Sequence, residues 1–198
     1  MNLLSRIKQS SRELILFASA ALMLGMAFSM VDATFNNFLN DKFALTGFQR
    51  SFLEFPRELP GFLVVFVSAA LWFFCSRRLS MVAMILSAVG AALIGFASSN
   101  YWLMIAWLFI YSMGQHLFMP LASTIGMELA VEGQDGRRLG QINSIRNLAA
   151  ILGSFSVVLG FKYLGFTFQH TFAIAAVLLG IAAFLLFMMK PEPVVEKR

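Results

Sequence analysis

Across 198 residues the chain is 59% hydrophobic and 13% charged, with 22 Phe, 12 Met and a mean hydropathy of +0.78. A soluble domain carries roughly 45–50% apolar and 25% charged residues, so a single water-excluded core cannot hide this much apolar surface and the composition excludes a soluble protein. The net charge of +5 comes from basic residues in twos and threes between apolar runs, which excludes the continuous stripe of a nucleic-acid binder.

The lone Cys75 cannot make an intrachain disulfide, and no His/Cys cluster has metal-ligand spacing, so neither a metal nor a cofactor is expected. At about 20 residues per crossing, the apolar runs form one domain over residues 1–198. It contains six spans, at roughly 14–37, 48–74, 81–98, 102–130, 139–164 and 168–189. The expected fold is an all-α membrane protein of six transmembrane helices. The first span is not a cleaved signal peptide: Leu14 to Val31 exceeds the length of a signal's apolar region, and the small-residue triplet Ala18-Ser19-Ala20 lies inside it.

Short connectors such as "SRRLS" and "SSNY" force consecutive spans to run antiparallel. Arg6, Lys8, Arg12, Arg77, Arg78, Arg137, Arg138, Lys190, Lys197 and Arg198 then fall on one side, against Lys42 and Lys162 on the other. The positive-inside rule makes the richer side, with both termini, cytoplasmic.

An ionised group near the bilayer centre costs at least about 2.5–3.5 kcal/mol, so charges within spans are expected to face a bundle interior or a wet cavity. Asp32 is such a charge on the first span, with Phe28, Phe35 and Asn36 beside it. The second span opens with "QRSFLEFPRELPG", where Arg50, Glu54, Arg57, Glu58 and Gly61 share one helical face. Two carboxylates one turn apart in a low-dielectric site do not both ionise readily, so Glu54 or Glu58 is expected to hold a proton near neutral pH. Pro56 and Pro60 each remove a helical hydrogen bond and tend to kink the helix, although prolines are also simply frequent in spanning helices.

At 1.5 Å per residue, Asp32 lies roughly 9 Å and Glu54 roughly 10 Å outward of the middle of their spans. Asp32 can therefore pair with Arg57 or Arg50, either inside a cavity or as a purely structural lock between helices. The fourth span places Gln115 and His116 near its middle with Pro120 one turn later; His116 suits either a proton relay or a neutral interhelical hydrogen bond. The fifth carries Asn143, Arg146, Asn147, Ala150 and Ser154 as a polar and small-residue stripe. The second and fifth spans thus hold their polar residues in their first halves while running in opposite directions, as two inverted three-helix repeats would.

"GRRLGQINSIRNLAAILGS", Gly136 to Ser154, resembles the basic loop and fifth helix of the major facilitator superfamily, although Ser154 replaces the proline of the Gly-Pro pair often found there. Arg77 and Arg78 match the end of that family's loop between helices 2 and 3, whereas Phe73 and Ser76 replace its aspartate and second glycine. The resemblance is to one N-terminal-like, six-helix half of such a transporter in a bacterial plasma (inner) membrane. It implies a second six-helix half, either a further copy of the chain or a separately encoded one. "KPEPVVEKR" resembles the start of the linker between halves.

The function expected is secondary active transport of a small polar or charged solute by alternating access, coupled to protons through Asp32, Glu54 and Glu58. Its partners are the lipid bilayer, the solute, protons and the second half. No GxxxxGK[ST] loop is present for ATP hydrolysis. "FTFQH" resembles the Phe-x-x-x-His element of membrane-embedded CAAX-type proteases, but the paired glutamates that would activate water are absent, so an enzyme is not expected. A non-transporting membrane subunit is the alternative.

Overall fold

The second helix of the bundle is broken near its start, so the six helices appear as seven segments in the computed structural model, which describes residues 3–70 and 75–191. These are α1 (Leu3–Phe43), α2 (Gly47–Phe52), α3 (Glu54–Ala70), α4 (Ser76–Ala97), α5 (Tyr101–Glu128), α6 (Asp135–Tyr163) and α7 (Phe168–Met188). Residues 71–74, with Phe73 of the loop pattern, and the linker-like residues 192–198, with Lys197 and Arg198, lie outside the described residues.

Local chemistry sets these boundaries. α1 outruns the expected 14–37 at both ends, because Pro is absent throughout it and the next helix starts only at Thr46. There Thr46 Oγ1 accepts from the Gln49 N–H at 3.3 Å while Gln49 Oε1 accepts from the Thr46 N–H at 3.0 Å, a reciprocal cap. Pro56 has no N–H to offer the Phe52 carbonyl, and the helix is interrupted at Leu53. The break is shallow, since Arg57 N–H still bonds Leu53 O at 3.2 Å. α3 and α5 both continue past their prolines, Pro60 and Pro120.

α4 and α6 begin earlier than expected, which corrects the placement of four arginines. Arg77 and Arg78 sit in the first turn of α4 and Arg137 and Arg138 in that of α6, not in loops. Each finds partners that a helix can offer: Arg137 donates to Gln134 Oε1 at 3.2 Å and Arg138 to Gln141 Oε1 at 3.0 Å. The last connection turns on Gly165, whose φ of +64° lets the Leu164 and Phe166 N–H groups both reach Gly160 O at 3.1 and 3.0 Å. His170 of "FTFQH" caps α7 by accepting the Thr167 N–H at 3.1 Å, which gives that histidine a structural role.

Among the described residues, five helices are long and apolar enough to cross a membrane: Ser11–Phe43 of α1, and α4, α5, α6 and α7. α3 has 17 described residues and carries three charges in its first two turns, so it does not stand out by length and apolarity. The principal packing pairs are α1 with α6 and α7, α4 with α5 and α7, and α3 with α5. Exchanging α1 with α5, α3 with α6 and α4 with α7 maps this set onto itself, the signature of two inverted three-helix repeats.

Small residues let the helices close on one another. A Cβ at Gly153 on α6 would lie 2.5 Å from the Met26 carbonyl oxygen on α1, and one at Gly25 would lie 2.5 Å from that of Arg146. α4 and α7 turn Val82, Ile85, Val89, Phe96, Ile181 and Phe184 outward, an apolar surface suited to lipid. Tyr101 and Trp102 at the start of α5 meet Phe43 and Phe52 edge-on at the end remote from the basic residues, as an interfacial aromatic belt does.

Candidate functional site

Two adjoining hollows of about 370 and 400 Å³ open between α1, α5 and α6 and share Phe118, Met119 and Arg146 in their walls. The first is lined toward the basic end by Phe17, Ala21, Pro120, Ser123 and Asn143. The second is lined by Phe28, Ser29, Asp32, Gln115, Asn147 and Ser154. Arg146, a little less than one turn before the centre of α6, stands where the two meet.

α1 and α6 run parallel through this region. Ser29 Oγ donates to the Ala150 carbonyl at 2.6 Å and is hydrogen-bonded to Ser154 Oγ, which fixes the seam behind the second hollow. Phe28, on the rim, meets the buried Tyr111 edge-on with ring centroids 5.8 Å apart.

The charges of α3 form an adjoining row. Arg57 Nη2 lies 3.5 Å from Asp32 Oδ1, and Arg57 Nη1 lies 3.9 Å from Glu54 Oε1, so one guanidinium serves two carboxylates. His116 Nε2 lies 3.7 Å from Glu58 Oε2. Gly61 makes room for that imidazole, because a Cβ there would be 2.9 Å from Nδ1. Ser112 on α5 donates to the Arg57 carbonyl, three residues before Pro60, and ties the proline-bearing turn to α5.

The structure therefore brings Asp32, Gln115, Arg146 and Asn147 to the second hollow and Asn143 with Arg146 to the first, with Arg57 linking Asp32 to Glu54. His116 faces Glu58 on α3 and lines neither of these hollows. Arg50 is exposed in α2 and makes no ion pair with a described residue, and Asn36 is exposed one turn beyond Asp32. Of the two pairings open to Asp32, the one with Arg57 forms.

A second ionic cluster closes the basic end. Arg77 Nη1 donates to Glu13 Oε2 at 3.3 Å and to the Lys190 carbonyl at 2.6 Å, while Arg77 Nε lies 3.8 Å from Glu128 Oε2. Glu13 Oε2 also accepts the Lys190 N–H at 3.1 Å. Arg78 donates to the Phe187 carbonyl at 2.8 Å and lies over its ring. Four helices meet in this buried staple. Sequence reasoning missed Glu13 and Glu128, because Glu13 sits in the polar lead-in to the first span and Glu128 at the far end of α5. The signal available was a carboxylate beside each of two span ends, Glu13 and Glu128, on the side that carries most of the basic residues.

A family model described as Major Facilitator Superfamily matches residues 17–198. The chain belongs to the Major Facilitator Superfamily. No individual curated protein matches it. Members of this family are membrane transporters, and this chain is an integral membrane protein with the helices of one six-helix half. The lipid bilayer and a small solute are accordingly its partners.

Proposed function

We propose that this major facilitator chain is one half of a proton-coupled secondary transporter, with its solute path through the hollows between α1, α5 and α6. The observation that carries the reading is the polar lining of those hollows at mid-span, directly beside the Asp32–Arg57–Glu54 row. Charges are tolerated inside a bilayer where they line a wet cavity or pair with one another, and the half-exposed Asp32–Arg57 pair beside the hollow supports this reading. Asp32, Glu54 and Glu58 then carry the coupling protons, with His116 as the neighbour of Glu58.

A second six-helix half completes the path. α6 exposes the stripe Leu148, Ile151, Leu152, Phe155 and Val158, and α3 exposes Phe55, Phe62 and Phe66. These apolar flanks on either side of the polar face suit another half as well as lipid. In this reading both termini are cytoplasmic, the protein resides in a bacterial inner membrane, and the basic staple marks the inner surface.

The test needs no knowledge of the solute. An Asn147→Cys variant in a Cys75→Ser background is labelled with a membrane-impermeant maleimide from each side of sealed vesicles. Labelling from both sides, with a ratio that shifts under an imposed pH gradient, is expected; Asp32→Asn and Glu54→Gln should remove the shift. Labelling from one side alone under every condition would sink alternating access and favour a non-transporting subunit.

A further inference from the structure

Two basic side chains of the expected polar face, Arg50 and Arg146, pair with no described acid, and of these only Arg146 lies within a long apolar helix. Arg57 is shared by Asp32 and Glu54, Glu58 stands against His116, and Arg77 is enclosed by Glu13 and Glu128. Arg146 has no ion pair or hydrogen bond from its guanidinium to any described residue, yet it lies within a spanning helix and borders both hollows. The one carboxylate in its hollow, Asp32, is already held by Arg57 at 3.5 Å.

An unbalanced guanidinium within a spanning helix is costly, and an anion that meets it lowers that cost. We propose that Arg146 anchors the carboxylate of a small organic monoanion, whose apolar body rests against Phe28, Phe118 and Met119. This rests on the carrier reading above and names its solute class. Three observations select the class. A guanidinium offers a carboxylate two parallel N–H donors. The other polar side chains of that hollow are Ser29, Asp32, Gln115, Asn147 and Ser154; with Asp32 taken by Arg57, they offer neutral hydrogen-bond groups and no second cation to balance a dianionic phosphate ester. The hollow of about 400 Å³ with its aromatic wall has the size and surface of a small-molecule site.

Phenylglyoxal, which modifies unpaired arginines, reads this out in native membrane vesicles carrying the full chain with its second half. Modification of Arg146 is followed by mass spectrometry in the presence of acetate, benzoate or phenylacetate, of the matched amides and amines, and of inorganic phosphate. Protection by at least one carboxylate of about tenfold or more at saturation, with none from the amides and amines, is expected from a charge-assisted bidentate contact. In detergent, the same carboxylate should raise the melting midpoint of the wild type, fail to raise that of Arg146→Gln, and raise that of Arg146→Lys partially, since lysine keeps the charge but loses the fork.

Protection by amides or amines instead, or by phosphate above all carboxylates, overturns the carboxylate assignment and leaves the carrier reading standing. An Arg146 that is inert to phenylglyoxal without any solute is paired by the second half, and the proposal falls. Protection that follows only the anionic lipid content of the vesicles gives the guanidinium to a headgroup and also overturns it. If no probe of any charge alters Arg146, both the solute class and the hollow as the path fail together.

Discussion

Two ionic clusters sit at different heights in the same bundle, and they are built on opposite plans. In the staple, the side chains of Arg77 and Glu13 are 3% and 4% exposed, and main-chain groups of Lys190 add a hydrogen bond to each. Beside the hollow, the side chains of Arg57 and Asp32 are 37% and 52% exposed, at 3.5 Å and with a second carboxylate competing for the guanidinium. A closed set of buried partners holds four helices in one arrangement, whereas an open set with an alternative partner within reach can exchange at little cost. The first plan suits rigidity and the second suits the proposed binding and proton movement.

Removing one partner from the closed cluster should have the largest effect. Glu13→Ala leaves Arg77 buried and short of its main carboxylate, and a loss of about 3–5 kcal/mol is expected, measured as lower folded yield and melting midpoint. Adding Arg77→Met should recover part of it, and no recovery would mean that packing, not charge, holds that end. Next comes the seam behind the hollow. Gly153→Val drives a side chain into the Met26 backbone and should cost about 1–3 kcal/mol, checked by the same melt. A neutral outcome would show that α1 and α6 part easily.

Ser29→Ala removes the hydroxyl that bonds Ala150 O and Ser154, with an expected loss of about 0.5–1.5 kcal/mol. Smallest in stability is Asp32→Asn, which breaks a half-exposed ion pair worth about 0.2–1 kcal/mol. The pH-gradient response of the Asn147→Cys probe should nevertheless vanish in that variant. A double-mutant cycle on Asp32 and Arg57 that returned a coupling as large as that of Glu13 and Arg77 would erase the contrast between the clusters.

That Asp32 meets an arginine of the second span was legible from the chain, because helical rise places the charges at one depth, but the choice of Arg57 over Arg50 came only with packing. The break at Leu53 followed from Pro56 having no N–H to give. Glu13 was hidden: helical periodicity does not say which of several carboxylates near a membrane end turns inward, and its partner lies 64 residues away. The side of α5 to which His116 turns was equally hidden, since a mid-span histidine has polar neighbours available on both α3 and α6. Gly61, whose missing Cβ admits the imidazole, settles that side only once the helices are packed.

By itself the sequence determined the solvent, the spans and the presence of charges that lipid will not accept, because transfer free energies act residue by residue. Only the tertiary structure decided which charges cancel. Pairing depends on distances between helices far apart in the chain, and those distances leave Arg57 shared, Arg77 enclosed and Arg146 without an acidic partner among the described residues.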